Sequence, residues 1–381
     1  MIYLDHAATS YPKPIEVEES VKRCMTQSGG NPGRGSHAAA LAASERVFEC
    51  REALADLMEA PAPTRVAFGL NTTMAINTVL KGILQPGDHV LLSDLEHNAV
   101  LRPLNALART RGISYDVYPT GAGSGPPSAE RILYEIKKLI RKNTRMVLAI
   151  HASNVASVQL PIEAIGRFCR RRELFFVVDA AQSAGHVPIS MKRACVDALC
   201  VPGHKGLLGP QGCGALLLSE RISPESLLEG GSGVYSFDPE MPRELPERLE
   251  AGTLPTPAIA GLYAGICKLR ALGMERIAVE ERVLQQRLKK RLLAIPRMHV
   301  LAPYGIGSVL SFYVDGCPSE TLGHALDQRG ICVRAGFHCA PLAHQTLRSA
   351  QEGAVRVSIG YSNTVAEIDT LADALEEILK G

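Results

Sequence analysis

No stretch of the 381 residues approaches the roughly 18 consecutive apolar positions that suggest a membrane-spanning helix. Charge of one sign is also missing. Lys and Arg number 41 against 39 Asp and Glu, a net +2, which argues against nucleic acid or an anionic membrane as partner. The ten cysteines form no CxxC pair, so neither a zinc ribbon nor a thioredoxin-like motif is written here. The opening Met1-Ile2-Tyr3-Leu4-Asp5-His6 has neither the basic nor the apolar region of a signal peptide. No GxxxxGK[ST] loop occurs, and no strand runs into GxGxxG. These absences predict a soluble cytoplasmic protein whose cysteines are mostly reduced and buried.

What is present is a chain 46% hydrophobic and long enough for two or three domains, or one large and one small. Such a chain buries a core without disulfides or structural metals. From Arg65 to about Ser219, short β-rich runs alternate with helical patterns. The runs are Val66–Phe68, His89–Leu92, Ile113–Tyr118, Met146–Ile150, Phe175–Val178, Ala198–Val201 and Gly214–Leu218. Helices are expected at Thr72–Leu84, at Asn98–Arg111 and after Ser128. This alternation predicts an α/β fold with a mainly parallel sheet covered on both faces. In such sheets ligands sit at the carboxyl ends of the strands.

A Gly- and Pro-rich segment follows from Gly230 to Pro257. Beyond it a smaller α+β unit is expected. Its helices are predicted at Ala258–Leu272, around Glu280–Ala294, and after a Thr364-x-x-Glu367 capping box; its strands are near Val309–Val314 and Val355–Ile359.

The strand ends of the large unit carry candidate chemistry. Asn71-Thr72-Thr73 opens a helix, where hydroxyls and free N–H groups suit a phosphate; an ordinary N-cap uses the same letters. Glu96-His97-Asn98, Ser153-Asn154 and Asp179-Ala180-Ala181-Gln182 follow three further strands. An Asp at the end of an apolar strand is costly without a partner cation. Gly203-His204-Lys205-Gly206 places a lysine in a glycine-rich turn between apolar strands. The pattern leaves open a surface lysine or an amine that loses its proton and attacks a carbonyl. Arg334-Ala335-Gly336-Phe337-His338-Cys339-Ala340-Pro341 sets a cysteine beside a His and near an Arg, neighbours expected to favour thiolate. His338, Cys339 and His344 could instead bind a metal, although three ligands within seven residues is a weak zinc signature.

Together these segments resemble the class V aminotransferase family of pyridoxal-phosphate enzymes, and within it the cysteine desulfurases and selenocysteine lyases. The match runs from Tyr3-Leu4-Asp5-His6-Ala7-Ala8-Thr9 through Glu250-Ala251-Gly252-Thr253 to Arg356. The resemblance implies the fold of type I pyridoxal-phosphate transferases. It divides the chain into a large domain at 15–262 and a small one at 1–14 plus 263–381.

By the same resemblance, Lys205 bonds the cofactor and later shuttles protons, and Asp179 pairs with the pyridinium nitrogen. Gln182 holds the ring oxygen, His97 stacks on the ring and also moves protons, and Thr72, Thr73 and His204 hold the phosphate. Thr253 reaches the phosphate of a neighbouring subunit, which implies a homodimer. Arg356 holds the substrate carboxylate, with Asn154 and Arg334 nearby. Cys339 takes sulfur from L-cysteine as a persulfide, releasing alanine. Relatives with this short RxGxHC-type loop commonly pass sulfur to an acceptor protein, as in iron–sulfur cluster assembly. Selenocysteine lyase, another C–S lyase, and a non-catalytic sulfur-relay scaffold are the alternatives. Three positions depart from the family pattern. Pro202 stands where a Ser or Thr is frequent, Phe337 where a His is common, and Met74 where an acidic residue is usual.

Overall fold

The computed structural model describes residues 1–33, 35–351 and 353–380. The largest sheet has seven strands, in spatial order Val66–Gly69, Gly214–Leu218, Ala198–Pro202, Phe175–Asp179, Thr144–Ile150, His89–Ser93 and Ser114–Tyr118. Gly214–Leu218 runs antiparallel to both neighbours, and the other pairings are parallel. This is the expected mainly parallel α/β sheet.

Side chains alternate faces along a strand, and here both faces are buried. Leu91, Val147, Phe176, Val178 and Leu199 face one core, closed by helices that include Ala38–Met58, Ala129–Leu139, Ile162–Arg171 and Thr256–Leu272. Val90, Leu92, Met146, Leu148 and Val177 face the other, closed by Thr72–Ile83 and Asn98–Arg111. Burial on both faces explains why these strands read as apolar runs. Each fully buried aliphatic side chain contributes about 1.5–3 kcal/mol.

Helix ends follow the local chemistry. The Asn71 side chain accepts the Met74 N–H at 2.9 Å, and Ser128 Oγ accepts that of Arg131 at 3.2 Å. Gly112, at φ 63°, ends Asn98–Arg111 in the left-handed region that glycine tolerates. The Thr364–Glu367 box forms in both directions, at 2.8 and 3.3 Å, and starts the helix Val365–Lys380.

That helix packs with Met274–Leu292 and Ser319–Asp327 on a four-stranded sheet of order Arg334–Gly336, Ala354–Ser358, Val309–Val314, Met298–Val300. The strand Ile2–Tyr3 pairs in parallel with Ile331–Cys332, which ties the chain start to this unit.

Several helices differ from the sequence reading. The helix expected around Glu280 begins at Met274, because the stripe Ile277, Leu284, Leu288, Leu292 lies hidden among charged residues. Ala38–Met58 was not expected; its alanines give little contrast between faces. The helix Thr256–Leu272 runs unbroken through positions 262 and 263.

Between Leu218 and Thr256 the chain has only one short helical turn, Glu247–Leu249, and exposes Leu228, Val234, Tyr235 and Phe237. Its end is anchored by a buried ion pair. The Arg51 guanidinium donates to both oxygens of Glu250, and the Phe68 N–H donates to Oε1 at 2.6 Å. Burial raises the Glu250 pKa, and Arg51 opposes that rise. Arg51→Ala leaves the carboxylate without its buried partner. The substitution is expected to cost about 3–5 kcal/mol in urea unfolding; a loss below about 1 kcal/mol would show that the pair does not anchor the segment.

Candidate active site

Only one strand of the large sheet is reversed, so the carboxyl ends of the other six share one edge. Just beyond these ends lie Thr72, Thr73, His97, Asn154, Asp179, Gln182, His204 and Lys205, all lining one cleft. The structure therefore brings together eight of the residues singled out from the sequence.

Asp179 ends its strand fully inside the protein, with Oδ1 accepting the Ala181 N–H at 2.9 Å. Burial raises its pKa, while that hydrogen bond and the Lys205 ammonium pull it down. Lys205 is the cation that the buried carboxylate required. Burial lowers the lysine to about 8, assisted by the positive charge of Arg356 and opposed by Asp179.

The turn before Lys205 is held at the His204 carbonyl, which accepts from the Ser10 N–H at 3.0 Å, Thr9 Oγ at 3.0 Å and Lys13 Nζ at 2.8 Å. Lys13, lowered to about 8 by burial, had no sequence signal; only folding carries it to a carbonyl 191 positions away. Glu96 was likewise passed over as a site residue. Wholly buried, it accepts from Ser93 Oγ at 2.5 Å and the Ile150 N–H at 2.6 Å. Burial raises it to about 8, so it is a neutral acid joining two strand ends beneath the cleft.

His97 caps Asn98–Arg111, its Nδ1 accepting the Ala99 N–H at 3.0 Å. The ring proton therefore sits on Nε2. Burial, with Lys205 and nearby arginines, lowers His97 to about 4. Three polar atoms of the cleft residues are buried without a hydrogen-bond partner among the described residues: Thr72 Oγ, His204 Nδ1 and Asn154 Oδ1. Gln182 is oriented by donating to the Ala7 carbonyl at 3.0 Å. Pro202 lines the cleft, opposite Gly214 in the strand register.

Arg356 and Cys339 reach the cleft through other residues. Arg356, 3% exposed, donates to the Asn154 carbonyl at 3.1 Å and to Asp5 Oδ1 at 2.8 Å, which leaves Nε unpartnered. Arg334 pairs with Arg356 across the strands, and its exposed guanidinium lies 4.0 Å from Asp5. Asn154 donates to the His338 carbonyl at 2.7 Å, and the Asn98 N–H donates to the Cys339 carbonyl at 2.8 Å. The thiol-bearing loop is thus bonded to strand ends of the large sheet. His338 and Cys339 both adopt left-handed backbones, at φ 50° and 55°, a strain of about 1–3 kcal/mol each. Thr253 is exposed and lies outside the cleft lining.

Beside Cys339, His338 is a buried, neutral imidazole. Burial lowers His338 to about 3, and both its nitrogens are engaged, at 3.1 Å with His344 Nε2 and at 3.2 Å with the Arg334 carbonyl. With His344 Nδ1 also bonded to Ser349 Oγ, neither imidazole has a nitrogen free for a metal. Among the described residues no cluster of His, Cys, Asp and Glu could hold a metal, and no helix is long and apolar enough to cross a membrane.

The cap geometry makes a direct prediction. At pH 5.5 the imidazole of His97 is expected to be neutral with its proton on Nε2, visible in nitrogen-15 NMR of labelled histidine. Its folded value lies below the unfolded value near 6.5, so its share of stability is lost as pH falls from about 6.5 towards 4. A His97 signal titrating near 6.5 would contradict this account.

The profile of the aminotransferase class-V family matches residues 2–371. The sequence is 33% identical to a probable cysteine desulfurase of Methanothermobacter thermautotrophicus, over 99% of this chain and 94% of that one. It is 32% identical to another from Pyrococcus abyssi, over 100% and 94%. Among solved structures, it is similar to a cysteine desulfurase from Thermococcus onnurineus, with a TM-score of 0.91 and 31% identity, covering 100% of this chain and 95% of that one. The cysteine desulfurase CsdA from Escherichia coli gives 0.87 and 29%, covering 99% and 94%. With its profile matched nearly end to end, the chain belongs to the aminotransferase class-V family.

Proposed function

We propose that the protein is a pyridoxal-phosphate-dependent cysteine desulfurase that converts L-cysteine to L-alanine and leaves a persulfide on Cys339. The observation that carries this reading is the cleft that joins Lys205 and Asp179 at one sheet edge, with the exposed Cys339 bonded to its rim.

The residues fit the cofactor. The unpartnered Thr72 Oγ and His204 Nδ1 lie where the helix Thr72–Ile83 presents free N–H groups, a combination suited to a phosphate. Asp179 would accept from a protonated ring nitrogen, Gln182 and Asn154 would hold the ring substituents, and His97 would cover one face. When bound, the cofactor supplies a sink for the electrons of the bonds broken in the substrate.

The chain supplies the rest. Lys205 takes and returns the proton at the substrate α-carbon, a role that its value near neutrality suits. Arg356, oriented by Asp5 and Asn154, offers its free Nε–H to the substrate carboxylate, and Arg334 adds positive charge. Cys339 attacks the substrate sulfur as thiolate. The S–S bond forms as the carbon–sulfur bond breaks, and protonation of the remaining carbon gives alanine.

The apolar segment at 228–237 and the exposed Thr253 suit a second copy of the chain, which would cover the one and receive the other. The same exposure of Cys339 suits a protein that takes up the sulfur.

Cys339→Ala is expected to keep the cofactor's visible absorbance and to lose more than about a thousandfold in sulfide release from cysteine. Undiminished turnover would defeat the desulfurase reading. Reloading of the cofactor-free protein with pyridoxal phosphate requires the unprotonated amine. Its rate is therefore expected to climb with pH through about 8 and then level off; a rate flat from pH 6 to 9 would rule out a titrating Lys205.

A further inference from the structure

We propose that His344 and Ser349 are positioning residues that hold Cys339 in its reactive place through His338. This inference rests on the desulfurase reading above. The hydrogen bonds form one chain with a single consistent polarity. The Arg334 carbonyl can only accept, so His338 Nε2 donates to it at 3.2 Å and His338 Nδ1 is left as an acceptor. His344 Nε2 must then donate to that Nδ1 at 3.1 Å, and Ser349 Oγ donates to His344 Nδ1 at 2.8 Å. Burial keeps both imidazoles neutral, at about 3 for His338 and about 4 for His344, with the charge of Arg356 adding to the effect at His338 and the bond to the Arg334 carbonyl opposing it.

The chain of bonds ends on a backbone carbonyl, which cannot release a proton, so it orients and does not relay. What it orients is the tip of the loop. Cys339 lies between the strand Arg334–Gly336 and the helix Pro341–Thr346, and the bonds tie these two elements together beneath it. The rings of His338 and His344 lie within 16° of parallel with centroids 5.3 Å apart, side by side along their hydrogen bond, and Phe337 meets His344 edge-on at 5.5 Å. Two successive non-glycine residues in left-handed conformations, His338 and Cys339, relax unless their surroundings hold them. Asn154 and Asn98 grip their carbonyls from the large sheet, and the imidazole chain grips the loop from within. Phe337, where relatives often have a second His, completes the packing of this support.

The test uses the cofactor-loaded enzyme. His344→Phe keeps the ring packing and removes both hydrogen bonds; His344→Gln keeps one donor towards His338; Ser349→Ala removes only the outer bond. His344→Phe is expected to lower kcat about 10- to 100-fold, the scale of a misplaced reacting group, with an unchanged KM for cysteine and unchanged cofactor absorbance. Ser349→Ala should lose less, and His344→Gln should recover most of the wild-type kcat. In the resting enzyme, deuterium exchange of the segment 334–349 should be at least tenfold faster in His344→Phe. Wild-type kcat in both His344→Phe and Ser349→Ala, or unchanged exchange, would overturn the proposal. So would parallel loss of kcat, KM and cofactor absorbance with no rescue by Gln, the pattern of general misfolding. If His344→Phe does not fold, Ser349→Ala decides by the same readings. Exchange needs no turnover, so turnover by Cys339→Ala would sink the desulfurase reading while leaving the support of the loop separately measured.

Discussion

Lys205 and Asp179 stand at the ends of adjacent strands with little water to solvate either. Each makes the other tolerable: the ammonium lowers the cost of the buried carboxylate, and the carboxylate keeps the lysine from losing its proton altogether. The positive charge of Arg356 works against the lysine, and Asp5 sits on Arg356 to limit that effect. The arrangement leaves an amine that titrates near neutral pH beside a carboxylate with spare acceptor capacity. Neither property follows from the residue types alone, since a solvated Lys–Asp pair would have neither.

The first thirteen residues form a strap between the two sheet systems. Ile2 and Tyr3 add a strand beside Ile331–Cys332, Asp5 holds Arg356, Ala7 accepts from Gln182, and Thr9, Ser10 and Lys13 converge on the His204 carbonyl. Gripping a backbone carbonyl fixes the turn that aims Lys205 without using the side chain itself. The same economy recurs at the thiol loop, where carbonyls are held and the Cys339 side chain is left exposed. In both places the reacting group stays free because its neighbours are bonded.

Pro202 and Phe337 each have a definite local setting. Pro202 lacks a hydroxyl but ends a strand beside Gly214, and unpartnered polar atoms remain nearby on Thr72 and His204. Phe337 supplies no acid or base; it packs its ring against His344 instead.

Hydrophobic period and turn chemistry were enough to read the sheet, because strands buried on both faces are written as apolar runs and their helices begin at Asn71, His97 and Ser128. The stretches after those strands also named eight cleft residues, since a parallel sheet puts the carboxyl ends of its strands on one edge whatever the strand order. The sequence by itself thus determined the fold class, the family and eight residues that gather in one cleft. Only the tertiary structure decided their state. Burial made Glu96 a neutral acid, lowered Lys205, His97 and His338, and recruited Lys13 from the chain start. Those outcomes depend on solvent exclusion and on partners far away in the chain, and neither is encoded in the spacing of nearby residues.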